Sequence, residues 1–84
     1  MRRLLIAAAI TIGLAGCGKE QKVSVELSDV PDKAMRTVRE KMPEATLTAA
    51  WKKPDGTYEV RGKLKSGKIR EVEVKADGTF VDME

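Results

Sequence analysis

The chain has 84 residues, with 16 basic and 13 acidic side chains for a formal net charge of +3, one cysteine and no histidine. This length supports one small domain with one modest core, since a chain of about 60 residues buries only about 60% of its extended surface. The lack of histidine excludes a histidine-based nucleophile relay and the histidine-held zinc and haem sites. The dispersed lysines and arginines exclude a nucleic-acid-binding arm. Residues 1–16 read as an export leader: Arg2 and Arg3 give a positive start, Leu4 to Ala15 carry no charge, and the small residues Ala15 and Gly16 precede Cys17. An apolar run of about a dozen residues falls short of the roughly 20 that a bilayer-spanning helix needs.

The stretch Leu14-Ala15-Gly16-Cys17 resembles the lipobox of bacterial lipoproteins. The resemblance implies that the leader is cut before Cys17, that the Cys17 sulfur becomes a thioether to a diacylglyceryl group, and that the new amino terminus is acylated. Gly18, rather than Asp, after the cysteine implies an outer-membrane address facing the periplasm, with the inner membrane as the alternative. Two or more acyl chains give stable attachment where one gives only marginal binding. Acylation also accounts for a lone cysteine in an exported chain, which otherwise suggests a free thiol or a bond to another molecule. With residues 1–16 removed, 68 residues remain, with 14 basic and 13 acidic side chains and a net charge of +1. Residues 17–26 read as the lipidated cysteine and a polar tether, and 27–84 as the folded domain. "KVSVEL" alternates briefly, which leaves an edge strand open there.

In "SDVPDKAMRTVREKMP" the signals are those of a helix of about twelve residues. Ser28 or Asp29 is positioned to cap it, Pro31 sits in the first turn and Asp32 faces its positive end. Ala34, Val38 and Met42 recur every four residues as a buried stripe, and Pro43 ends the helix by forcing Met42 out of helical conformation. Four alternating runs follow: Leu47-Ala49-Trp51, Tyr58-Val60-Gly62-Leu64, Val72-Val74-Ala76 and Val81-Met83. Glycine-bearing turns separate them. The expected fold is α+β, one N-terminal helix on a four-stranded antiparallel meander. Two-residue turns at Asp55-Gly56 and Asp77-Gly78, with a three-residue loop at 65–67, keep one face apolar throughout. These registers set Trp51 opposite Val60, Leu47 opposite Leu64, Val60 opposite Val72, Val74 opposite Val81 and Val72 opposite Met83. On the outer face they set Lys52 opposite Glu59, Arg61 opposite Glu71 and Glu73 opposite Asp82. Trp51 and Tyr58 then face the helix as core aromatics, or one of them lies at the end of the sheet on a partner surface.

The acidic residues are scattered over a wet, lysine-rich face, which disfavours the raised pKa that acid–base catalysis requires. The Asp-Gly pairs belong to hairpin turns and lack the ligand series of a calcium loop. The expectation is therefore a non-enzymatic protein without a cofactor, metal or small-molecule substrate. A minor alternative is a small calcium-binding or enzymatic domain. Phe80 and Ile69, apolar among charges, with Arg61 and Lys63, form the candidate protein-binding surface.

The order "VPDKAMRTVREKMPEATLTAAWKKPDGTYEV", then "GKIREVEVKADGTFVDME", resembles the PepSY-like domains of small exported bacterial proteins. The fold of those domains is likened to that of the beta-lactamase-inhibitor proteins. The likeness runs from Leu27 to Met83. It consists of Pro31 opening the helix, Pro43 closing it with Ala45 soon after, the Tyr58-Glu59-Val60 strand, and the final strand, Asp-Gly turn and strand from Val72 to Met83. Trp51 and Pro54 depart from that pattern. The resemblance implies a helix followed by a four-stranded sheet, non-covalent binding or inhibition of envelope or secreted proteins, or a sensory role. It supplies no catalytic residues. The alternative function is a structural or accessory envelope lipoprotein without a specific ligand.

Overall fold

The structure, a computed structural model, describes residues 21–84. The leader, the box at Leu14 to Gly16 and Cys17 lie outside the described residues. Strand β1 (Val23–Val25) leads through a 3-10 turn (Leu27–Asp29) to helix α1 (Asp32–Lys41). Strands β2 (Thr46–Lys52), β3 (Tyr58–Lys63), β4 (Ile69–Val74) and β5 (Phe80–Met83) follow. All five strands form one antiparallel sheet in the order β1-β2-β3-β4-β5.

The sheet thus has five strands, not four. Val23, Ser24 and Val25 pair with Lys52, Trp51 and Ala50, so residues 23–25, expected in the tether, contribute to the sheet. Backbone donors and acceptors on the edge of β2 would otherwise lack partners, and a short alternating segment just upstream supplies them.

The helix begins later than expected. Ser28 and Asp29 belong to the 3-10 turn, where the Asp29 carboxylate accepts a hydrogen bond from the Glu26 backbone N–H at 3.1 Å. Pro31 takes the N-cap position instead. At the other end Met42, out of helical conformation before Pro43 at φ −134° and ψ 67°, still donates its N–H to the Val38 carbonyl at 2.9 Å. Val30, Ala34, Val38 and Met42 are buried against Ala50, Tyr58, Val60, Val72 and Val74. Those nine side chains are the core of the described domain, with Val25, Leu27, Met35, Ala45, Leu47 and Met83 packed at its margin.

All three hairpins use the same three-residue loop. Lys53 N–H bonds to Thr57 O, Leu64 to Lys68 and Lys75 to Thr79, at 2.8–2.9 Å. In each, the glycine before the closing residue (Gly56, Gly67 or Gly78) has φ between 91° and 97°, the left-handed position that closes such loops. Asp55 Oδ1 accepts from Thr57 N–H at 3.0 Å, and Asp77 Oδ1 from Thr79 N–H at 2.9 Å. These bonds hold the aspartates in the longer loop rather than in two-residue turns. The Thr57 and Thr79 N–H bonds, first among the causes, hold the Asp55 and Asp77 carboxyls below their ordinary range.

One extra residue per loop shifts the strand partners. Ala50 faces Val60, Trp51 faces Glu59 and Lys52 faces Tyr58, in place of the Trp51–Val60 and Lys52–Glu59 pairs. An irregularity at Thr48, between Leu47 and Ala49, then puts Leu47 opposite Gly62. Leu47 therefore still faces inward although its partner is not Leu64. The last hairpin behaves alike: Val74 pairs with Phe80 rather than Val81, a bulge follows, and Glu73–Asp82 and Val72–Met83 form as expected. The β3–β4 pairing matches the expected register throughout, including Arg61 opposite Glu71.

Candidate protein-interaction surface

Among the described residues the helix covers one face of the sheet and nothing covers the other. Strand alternation puts Ser24, Trp51, Glu59, Glu73 and Asp82 in one row across the uncovered face. Ala49, Arg61 and Glu71 form the next row, and Thr46, Lys63 and Ile69 the one beyond.

Trp51 is half-buried on this face rather than in the core. The Lys22 ammonium and the Arg61 guanidinium each lie 4.7 Å from its ring centroid. Cations over an indole face contribute about 0.5–1 kcal/mol each at exposed sites, enough to fix the ring's orientation. Both cations are themselves held. Lys22 Nζ is 2.7 Å from Glu59 Oε1, and Arg61 donates through Nε at 2.9 Å and Nη2 at 2.7 Å to Glu71 Oε2. Beside them, Lys53 donates to Glu73 at 3.0 Å. The buried Thr57 hydroxyl lies 2.7 Å from Asp55 Oδ1 and 3.1 Å from Glu73 Oε2. Glu59, Glu71 and Glu73 are thus neutralised internally, and the indole is the large apolar surface they frame.

The Arg61 hydrogen bond, the largest cause, holds the Glu71 carboxyl below its ordinary range. A carboxylate with a lowered folded-state pKa contributes stability above its unfolded pKa and loses it as pH falls through the folded value. Asp55 and Asp77 act in the same direction. Urea midpoints should therefore fall as the pH drops below about 5, through the ordinary carboxylate range of about 3.9–4.3 and on beneath it. Glu71→Gln should flatten that fall. An unchanged pH slope in the variant would show that the Arg61–Glu71 pair contributes nothing to it.

Of the four residues expected to form a binding surface, the structure brings three together. Arg61, Lys63 and Ile69 share the uncovered face, and Ile69, directly opposite Lys63, is 50% exposed. Phe80 does not join them. Its pairing with buried Val74 places it on the helix-bearing side, where Lys41 Nζ of α1 sits 4.3 Å from its ring centroid. The longer hairpin loop accounts for this, since it moves Phe80 one position and so to the opposite face. Trp51 is the residue the sequence reading placed inward. Its signal was present in the three-residue loop chemistry of Pro54-Asp55-Gly56 and in its alternation with Ala50. Tyr58 is a core aromatic, buried on the helix side.

No known protein family, curated protein or solved structure matches the chain. Among the described residues no group of three or more cysteine or carboxylate side chains is arranged to hold a metal ion. No helix among them is long and apolar enough to cross a membrane. The surface therefore has to be read from its own chemistry: a fixed indole, a neutralised ionic frame, and an exposed isoleucine flanked by Lys63.

Proposed function

We propose that this protein is a lipid-anchored envelope protein that binds another protein non-covalently through the uncovered face of its sheet. The observation that carries the binding half is Trp51, a tryptophan held on an uncovered face by two ion-paired cations. Tryptophan and arginine are the side chains most enriched at binding hot spots, and an ordered ring loses little entropy on docking. The anchoring half rests on Leu14-Ala15-Gly16-Cys17 after a positive, apolar leader. The PepSY-like order of helix, meander and Asp-Gly turn, here preceded by an additional edge strand, supports an exported binding module rather than an enzyme.

Size sets the expected strength. Five strands about 4.8 Å apart and about 20 Å long give a face of roughly 400–500 Å². That is below the roughly 800 Å² per partner of a standard stable interface, so the complex belongs with transient ones. Confinement of both partners to one membrane surface would compensate for modest affinity.

The test is capture from envelope extracts by the acylated protein. Proteins retained by wild type should be lost with Trp51→Ala and with Ile69→Asp, and kept with Phe80→Asp, which alters the opposite face. Captured proteins indifferent to both outer-face changes would refute this surface, and no capture at all would favour an accessory role. Labelled palmitate should enter the wild type and not Cys17→Ser, and equal incorporation would refute the anchor.

A further inference from the structure

We propose that the groove beside β1 rests on the phospholipid surface of the bilayer that holds the protein's own anchor, an inference that depends on the acylation of Cys17 proposed above. The groove has a volume of about 490 Å³ and is lined by Gln21, Val23, Val25, Lys52, Lys53 and Pro54. It forms because α1 packs over the β4 side of the sheet, leaving the β1 end of that face unroofed. Val23 is 61% exposed, the highest exposure among the large hydrophobic side chains of the described domain. Pro54 beside it is also exposed. Lys52 extends past this apolar floor with its Nζ 5.8 Å from the Tyr58 ring, while Lys53 is ion-paired with Glu73 at 3.0 Å. An apolar floor rimmed by the long amphipathic Lys52 suits the headgroup boundary, where its stem contacts apolar matter and its ammonium group reaches phosphate or water.

The leash decides the occupant. Gln21 is itself a wall of the groove and lies four residues beyond Cys17. At no more than about 3.6 Å per residue, the chain cannot hold the groove farther than about 14 Å from the anchored cysteine. That distance is comparable with the headgroup layer and its adjoining water. A tether this short gives an effective concentration in the millimolar range or above. A contact too weak for the free domain is then populated in the anchored one. With the groove against the lipid, the β2–β3 and β4–β5 loops point toward the bilayer. Ile69 and Lys63 lie at the opposite end of the strands, clear of it.

Acylated full-length protein in vesicles of equal parts phosphatidylethanolamine and phosphatidylglycerol tests this. Acylation leaves Cys17 without a thiol, so Pro54→Cys and Ser66→Cys each accept a single fluorescent label, near the groove and in the distal β3–β4 loop. Lipids brominated in the acyl chain should quench the label at 54 several-fold more than the label at 66. Adding Val23→Asp, at an exposed edge position, should abolish the difference without releasing the protein from vesicles or changing its circular dichroism. Equal quenching at both positions in protein that stays vesicle-bound would overturn the groove contact and leave the anchor standing. Self-quenching at 54 that disappears on dilution within the bilayer would assign the groove to a second copy and overturn the proposal as well. An intact mass without acyl chains would overturn the anchor, and the lipid contact with it.

Discussion

Gly78→Ala is expected to destabilise the domain by about 2–5 kcal/mol, from a left-handed backbone cost of about 1–2 kcal/mol plus a steric cost of about 1–3 kcal/mol. Gly78 closes the β4–β5 loop at φ 97°. A Cβ placed there would lie 2.9 Å from the Lys33 carbonyl oxygen, in the first turn of α1. That oxygen belongs to helix backbone and cannot swing aside like a side chain. The same loop is fastened to the helix by the Thr37 hydroxyl, which donates to the Gly78 carbonyl at 2.6 Å. The steric push therefore acts on the contact that docks α1 against the last hairpin. Gly67 is the internal control: its φ is 94° but an added Cβ would meet nothing within 4 Å. Gly67→Ala should cost only the backbone share, about 1–2 kcal/mol. For a domain of this size 1 kcal/mol corresponds to about 4–8 °C in Tm, so thermal melts separate the two variants readily. Equal losses would mean that the Lys33 contact carries no weight.

The two hairpins that differ from the sequence reading do so for one reason. A two-residue turn with no bulge and a three-residue loop followed by a bulge leave the same side chains on the same face beyond the bulge. Val72 meets Met83 by either route, and Leu47 faces inward by either route. The apolar pattern at the far ends of the strands cannot distinguish the two. The difference lies only in the few residues between loop and bulge, and those include Trp51 and Phe80. The helix stripe, the β3–β4 register and the Arg61–Glu71 pair were legible because periodicity or loop chemistry fixed them alone. The threonines after Asp55-Gly56 and Asp77-Gly78 carried the missing information, since each donates its N–H to an aspartate that the longer loop presents to it. Strand β1 is three residues long, too short for alternation to establish, and its existence depends on the partner that β2 offers.

For the candidate surface this has a direct consequence. A shift of one residue exchanges faces, so it moves an aromatic from each surface to the other. Phe80 leaves the charged face, and Trp51 arrives there between two cations. The binding chemistry expected of an apolar residue among charges survives, but on a side chain with more area and with its orientation already fixed. Arg61 links the two readings, because it is paired to Glu71 as expected and also stacks on the indole.

Gly62→Val is the second substitution expected to have a large effect, about 2–3 kcal/mol of destabilisation by overpacking. Gly62 lies in β3 on the helix side, opposite Leu47 and Arg70. A Cβ there would stand 3.0 Å from Ala45 Cβ, 3.0 Å from Met42 Cε and 3.3 Å from Leu47 Cδ2. Helix end, connecting segment and β2 all converge on the space that a glycine leaves open. The first contact is with a small side chain near the backbone, which yields little, whereas the Met42 methyl is the end of a flexible chain. Gly62→Ala should therefore change stability by less than about 1 kcal/mol, the strand preference for alanine over glycine offsetting the crowding. Valine adds two methyl groups beyond that Cβ and exhausts the adjustment. Met42, 2% exposed, is the neighbour that can make room, at its own cost of about 2–5 kcal/mol when truncated to alanine. The pair Gly62→Val and Met42→Ala should then be less damaging than the sum of the two singles by at least about 1 kcal/mol, as for residues sharing one space. Urea unfolding of the four proteins measures the difference. Strict additivity would place the crowding at Ala45 and the main chain after Pro43 instead of at the helix end.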